Sequence, residues 1–223
     1  MIDKIDVFIA LRSQGVVPVF FHPDPEVCIE VISACARAGA PCVEFTNRGD
    51  FAPSIFHEVS RHFAGKTGGP RPVLGVGSIV DAPTAALYIA SAARFVVGPV
   101  LNAEVARLCH RRRVLYAPGC GSASEISDAH ALGCDLVKVF PGESVGGPDF
   151  VKAVLGPMPW TRIMPTGGVD PDEASVRAWF GAGIVAAGMG SKLITKAHLD
   201  ARDWAGIEAS VRACVELIAR VRG

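Results

Sequence analysis

The segment CDLVKVFPGE, residues 134–143, reads as a buried strand with a lysine at its centre. Burying an unpaired ammonium costs several kcal/mol (roughly 3–5), so a lysine in such a place sheds its proton. A neutral amine in a pocket is a nucleophile. Val137 and Val139 share one face of this strand, and Leu136, Lys138 and Phe140 share the other. The valines suit packing under helices, which aims Lys138 towards the inside of a sheet.

Seven further apolar runs surround this one, each followed by a helical pattern. They are VVPVFF from Val16, CVEFT from Cys42, PVLGV from Pro72, RFVVG from Arg94, VLYAP from Val114, RIMPT from Arg162 and IVAAG from Ile184. Helices between them carry start and stop signals. Asp24-Pro25 opens one with Val27, Val31, Ala34, Cys35 and Ala38 on one face, and Gly39 ends it. Ser122-x-x-Glu125 and Asp170-Pro-x-Glu173 read as capping boxes. A last helix carries Trp204, Ile207, Val211, Cys214, Val215 and Ile218 along one stripe. Eight strands alternating with helices predict parallel βαβ units and a closed (β/α)8 TIM barrel preceded by an N-terminal helix, one domain over residues 1–223. An open, doubly wound sheet is the alternative, but no G-x-G-x-x-G follows the first strand. FAGKTGGPRP, from Phe63, reads as a loop into the third strand and not as a domain boundary.

The totals exclude several classes. Half of the 223 residues are hydrophobic, and 22 acids balance 22 bases. Neither nucleic acid nor a membrane surface is expected as partner. The HRRR run, His110–Arg113, reads as the solvated end of a helix. The seven cysteines lack C-x-x-C or zinc spacing and read as reduced, buried thiols, and no metal is expected. MIDKIDVFIALRSQG is too acidic for a signal peptide and too short in apolar run to span a bilayer. A cytoplasmic protein is the expectation.

In a barrel the chemistry sits at the C-terminal ends of the strands. In CVEFT, Cys42, Glu44 and Thr46 share a face, so Glu44 also points inward. An inward Lys138/Glu44 pair is either a structural ion pair or an acid/base couple beside an amine nucleophile. Arg48, just past the strand, suits a bidentate grip on a carboxylate, or else pairs with Asp50. Gly167-Gly168 precedes a helix, and Gly190-Ser191 is expected to open another. Together they fall in the two loops that hold phosphate in such barrels, although each alone also reads as a tight turn. Ser78 and Ser122 are candidate ligand donors, Ser122 with a competing role as N-cap. Of six scattered histidines only His22, directly after the first strand, is placed to reach the mouth.

VEFTNR, LGVGSI, VVGPVLN, APGCGSASE, VKVFPGE, GPMPW, MPTGGV and GMGSKL follow one another as in the 2-keto-3-deoxy-6-phosphogluconate and 4-hydroxy-2-oxoglutarate aldolases, which the chain resembles from Val16 onward. The resemblance implies a class I aldolase on a (β/α)8 barrel, a homotrimer needing no metal and no cofactor. Its implied ligands are a small keto acid and pyruvate, with glyceraldehyde 3-phosphate or glyoxylate as the aldehyde. It implies Lys138 as Schiff-base lysine, Glu44 as general acid/base and Arg48 as carboxylate-binding residue, with Ser78 where the family has a threonine. It implies Thr166, Gly167, Gly168, Gly190 and Ser191 as phosphate loops, and Pro99 and Phe140 as pocket wall. Ser122 also replaces a family threonine, and Phe20, Phe21 and His22 end a strand that often ends in a charge. Two other readings stand beside it. One is a phosphate-binding barrel lyase or isomerase using Glu44 as proton-transfer base without an imine. The other is an idle sugar-acid binding protein.

Overall fold

Each expected strand forms, and every ladder is parallel. The computed structural model describes residues 3–65 and 71–223. The strands are β1 (Val16–Phe20), β2 (Cys42–Thr46), β3 (Val73–Gly77), β4 (Phe95–Val97), β5 (Leu115–Ala117), β6 (Gly119–Cys120), β7 (Val137–Val139), β8 (Ile163–Pro165) and β9 (Ala187–Met189). The run VLYAP, expected as a strand, forms β5 and ends at Ala117; a further short strand, β6, which the sequence reading did not expect, follows directly after Pro118, which has no N–H to give to a ladder. Among the described residues the strands form two sheets, β5-β4-β3-β2-β1-β9 and β6-β7-β8, rather than one continuous ladder. They adjoin at both margins. The Lys138 N–H donates to Pro118 O at 2.8 Å, and the Val185 N–H to Ile163 O at 2.9 Å. Thr166 and Gly188 form a single parallel bridge between β8 and β9. The result is an α/β fold around a parallel, curled sheet. Residues 66–70, the centre of the expected Gly/Pro-rich loop, lie outside the described residues.

The period-2 alternation separates two apolar cores. Val43, Phe45, Val137 and Val139 face outward and pack with Val31 and Cys35 of α2 (Pro25–Arg37), Trp179 of α8 (Glu173–Gly181), and Ile207, Val211 and Ile218 of α10 (Trp204–Arg222). Val17, Cys42, Val73, Phe95, Val97, Leu115, Leu136 and Met164 face inward and form the second core. Helix α1 (Lys4–Gln14) adds Val7 and Leu11 to it, closing the interior at the end where the strands begin. The buried amide of Gln14 fixes that plug. It donates to Val16 O (2.6 Å) and Cys42 O (2.8 Å) and accepts from the Cys42 N–H (2.9 Å). The opposite, C-terminal end is left free for a site.

Most helix starts follow the sequence. Asp24 caps α2, accepting from the Glu26 N–H at 2.9 Å, with Pro25 in the first turn. Ser122 caps α6 (Ala123–Ala131), and the Glu125 carboxylate returns to the Gly121 N–H at 2.7 Å. The Asp170 capping box does not form. Asp172 caps α8 instead, accepting from the Ser175 N–H, while Ser175 Oγ takes the Asp170 N–H. An N-cap stands immediately before the first helical residue, and α8 begins at Glu173, which leaves Asp170 two residues too early for that box. The stretch opened by Gly190-Ser191 is a turn, with the Leu193 and Ile194 N–H groups on Gly190 O; the helix there, α9 (Lys196–Asp200), starts later, capped by Thr195.

Candidate active site

Lys138 and Glu44 lie inside the curled sheet, as the alternation predicts. Lys138 is 4% exposed and Glu44 1%. Phe140 and Thr46, two residues further along the same strands, line an open cavity of about 640 Å³ at the C-terminal ends. Lys138 and Glu44 do not themselves line that cavity; they lie one step deeper on the same strand faces. Lys138 Nζ stands 4.7 Å from the centre of the Phe140 ring. Neither side chain makes any of the ion pairs found among the described residues, so a closed structural pair is not what holds them.

Their charges nonetheless act on each other. Burial pushes the Glu44 carboxyl above the usual carboxylate range, opposed by the cations of Lys138 and Arg48. Burial holds the Lys138 amine below the usual lysine value, opposed by Glu44 and reinforced by Arg48. Desolvation leads in both, and both shifts favour the neutral form. That is the state in which an amine attacks a carbonyl and a carboxyl can shuttle a proton.

Glycines make the room. On β3 a Cβ at Gly77 would overlap Glu44 Oε1, and one at Gly75 would enter the Phe95 ring. On β6 a Cβ at Gly119 would strike the Pro99 carbonyl, and on β9 one at Gly188 would strike Thr166 Oγ1. Among the described residues five buried side-chain polar atoms have no protein partner, and two of them, Glu44 Oε2 and Thr166 Oγ1, lie here, with hydrogen-bonding capacity left for a bound molecule.

The cavity brings together much of the expected set: Arg48, Phe140, Thr166, Gly167, Gly168, Gly190 and Ser191. Arg48 makes no ion pair with Asp50 among the described residues, so the paired-surface reading does not hold. Gly167 and Gly168 have φ of +89° and +83°, a left-handed turn that glycine adopts without strain. Ser78 and Pro99 do not line this cavity; both are half-buried just beyond β3 and β4. The Ser122 hydroxyl is committed to its cap, bonding both the Glu125 N–H and its carboxylate. His22 Nδ1 accepts from the Asp24 N–H at 3.1 Å, and it is Phe21, not His22, that reaches the cavity wall. Sequence reasoning read Asp170 only as a helix cap and passed over Lys192 and Lys196; all three line the cavity as well. Lys192 is adjacent to Ser191, and that adjacency was the one available signal. Among the described residues no group of three or more His, Cys, Asp or Glu is placed to hold a metal, and no helix is long and apolar enough to cross a membrane.

Comparison with known proteins agrees with this geometry. A 2-dehydro-3-deoxy-phosphogluconate aldolase of Pseudomonas aeruginosa is 30% identical over 211 residues, covering 95% of this chain and 92% of its own. One of Haemophilus influenzae is 28% identical, covering 93% and 94%. A KDPG aldolase structure from Legionella pneumophila, solved with pyruvate captured as a covalent carbinolamine intermediate, superposes with a TM-score of 0.83 at 21% identity, covering 92% of this chain and 96% of that one. The family model described as KDPG and KHG aldolase matches residues 7–210, and the chain belongs to that family.

Proposed function

We propose that the chain is a class I aldolase that cleaves a 2-keto-3-deoxy-6-phospho sugar acid or 4-hydroxy-2-oxoglutarate to pyruvate and an aldehyde, with Lys138 as nucleophile. The observation that carries this is the Lys138/Glu44 pair, buried two residues short of Phe140 and Thr46, which line the cavity, and joined in no ion pair among the described residues. The neutral Lys138 amine attacks the C2 ketone to give a carbinolamine; the protonated Glu44 carboxyl gives its proton to the departing hydroxyl, so that water leaves, the iminium forms and Glu44 is left as the carboxylate. Glu44 takes the proton of the C4 hydroxyl as C3–C4 breaks. The bonding pair flows into the iminium, leaving an enamine and the aldehyde. Glu44 then returns a proton to C3, and water releases pyruvate and the free amine.

Arg48, on the cavity wall, orients the C1 carboxylate, which fixes the ketone against the amine. Ser78 is the second group proposed there, carried from the family pattern alone. Thr166, Gly167, Gly168, Gly190 and Ser191 grip the far end of the substrate and supply remote binding energy, with Phe140 and Pro99 as walls.

The site further favours one closed eight-stranded barrel, counting β5 and β6 as one strand, in a single domain over residues 1–223. The hydrogen bonds at both sheet margins support it. A homotrimer fits the exposed apolar side chains Phe51, Val80, Leu87 and Val100, which follow three consecutive strands. A cytoplasmic location fits seven free, buried thiols.

The test is incubation with pyruvate, reduction with borohydride and peptide mass spectrometry. A pyruvate-derived adduct on Lys138 is expected. A folded protein giving no adduct with pyruvate or other keto acids would overturn imine chemistry and leave Glu44 as the base of a proton-transfer enzyme.

A further inference from the structure

The loops after β8 and β9 are joined by an ion pair, Lys192 to Asp170, and both side chains line the cavity beside the glycine cradle. Asp170 stands two residues past Gly168, and Lys192 one residue past Ser191. Asp170 is free for this contact because Asp172 holds the N-cap of α8. The lysine side chain is 67% exposed and the aspartate 32%. A pair so wetted contributes little to stability, so a strut is a poor account of it. The wall carries three cations, Arg48, Lys192 and Lys196, against one acid, Asp170, and Lys196 is paired with Asp200 on its own helix. That excess suits a substrate with more than one anionic group.

Resting on the aldolase reading above, we propose that the Asp170–Lys192 pair is a charge-selective gate for the distal end of the substrate. A dianionic phosphate in the glycine cradle draws Lys192 away from the monoanionic Asp170 and takes it as a point-charge partner. A neutral hydroxyl at the same end leaves the pair closed and gains nothing from it. Lys192 is thus a specificity-determining residue for phosphorylated sugar acids, and Asp170 sets its threshold by competing for it.

The experiment measures KM for 2-keto-3-deoxy-6-phosphogluconate and for the unphosphorylated sugar acid in wild type, Lys192→Ala, Lys192→Arg and Asp170→Asn. It also measures the affinity for inorganic phosphate by calorimetry at low salt. Loss of one charge-assisted contact predicts that Lys192→Ala lowers the preference for the phosphorylated substrate about ten- to a hundredfold, with a matching loss of phosphate affinity. Lys192→Arg restores much of it, and Asp170→Asn strengthens phosphate binding. Equal KM changes for both substrates, or Asp170→Asn weakening phosphate as Lys192→Ala does, would overturn the gate. Phosphate calorimetry does not depend on imine formation, and borohydride trapping does not depend on Lys192, so failure of the gate and failure of the aldolase reading are told apart.

Discussion

Gly77→Ala is the sharpest perturbation the site offers, because it adds one methyl and no new chemistry. The new Cβ would overlap Glu44 Oε1 and stand 2.8 Å from Cδ. Glu44 is 1% exposed, so its carboxyl cannot retreat into solvent and must swing within the packed interior. Overpacking of this size costs about 1–3 kcal/mol of stability. Displacing a proton-transfer group by an ångström costs on the order of 100-fold in rate. Gly75→Ala is the internal control. It lies on the same strand and face, but its Cβ enters the Phe95 ring. The two variants should lose similar stability in urea unfolding, while only Gly77→Ala loses about 100-fold in kcat by coupled pyruvate release. A folded Gly77→Ala enzyme retaining kcat within a factor of about 3 would refute the placement of Glu44 as acid/base.

Four further outcomes follow from the same geometry. Pyruvate trapping should rise with pH as Lys138 loses its proton; Glu44 raises that pKa and Arg48 lowers it, so Glu44→Gln moves the rise to lower pH and Arg48→Met to higher pH. The folded amine also binds fewer protons than the unfolded one between its lowered pKa and 10.5, so stability should climb with pH across that window, and Lys138→Met should flatten the climb in pH-dependent urea melts. Gln14→Ala leaves the Val16 and Cys42 backbone groups without their partner and should cost about 2–3 kcal/mol by urea unfolding, with kcat close to wild type because the plug is at the far end from the cavity. All seven thiols are buried and pushed up to about 12, so the native protein should react slowly with iodoacetamide and the urea-unfolded chain should label at all seven.

Local rules were enough for what is local. Strand periodicity set Lys138 and Glu44 on the inward face and Val137, Val139, Val43 and Phe45 on the outward one, because neighbouring side chains on a strand must oppose each other. The Asp24-Pro25 start and the Gly39 stop of α2 depend only on adjacent backbone groups, and they form as read. Family motifs carried the chemistry, since they preserve which residue types meet. The depth of each side chain was a tertiary matter. That Phe140 and Thr46 line the cavity while Lys138 and Glu44 lie buried one step deeper depends on strand register and on the volume left by Gly75, Gly77, Gly119 and Gly188, which no single segment contains. The same holds for Ser78 and Pro99, which stand off the cavity, and for the short strand β6 directly after Pro118, which the sequence reading did not expect. Asp170 shows the difference at one residue. Its sequence neighbours mark it as a cap, but the helix is capped two residues later, by Asp172, and the freed carboxylate meets a lysine 22 residues away across two loops. A chain's local pattern fixes which way a side chain faces; only the folded register fixes what faces it in return.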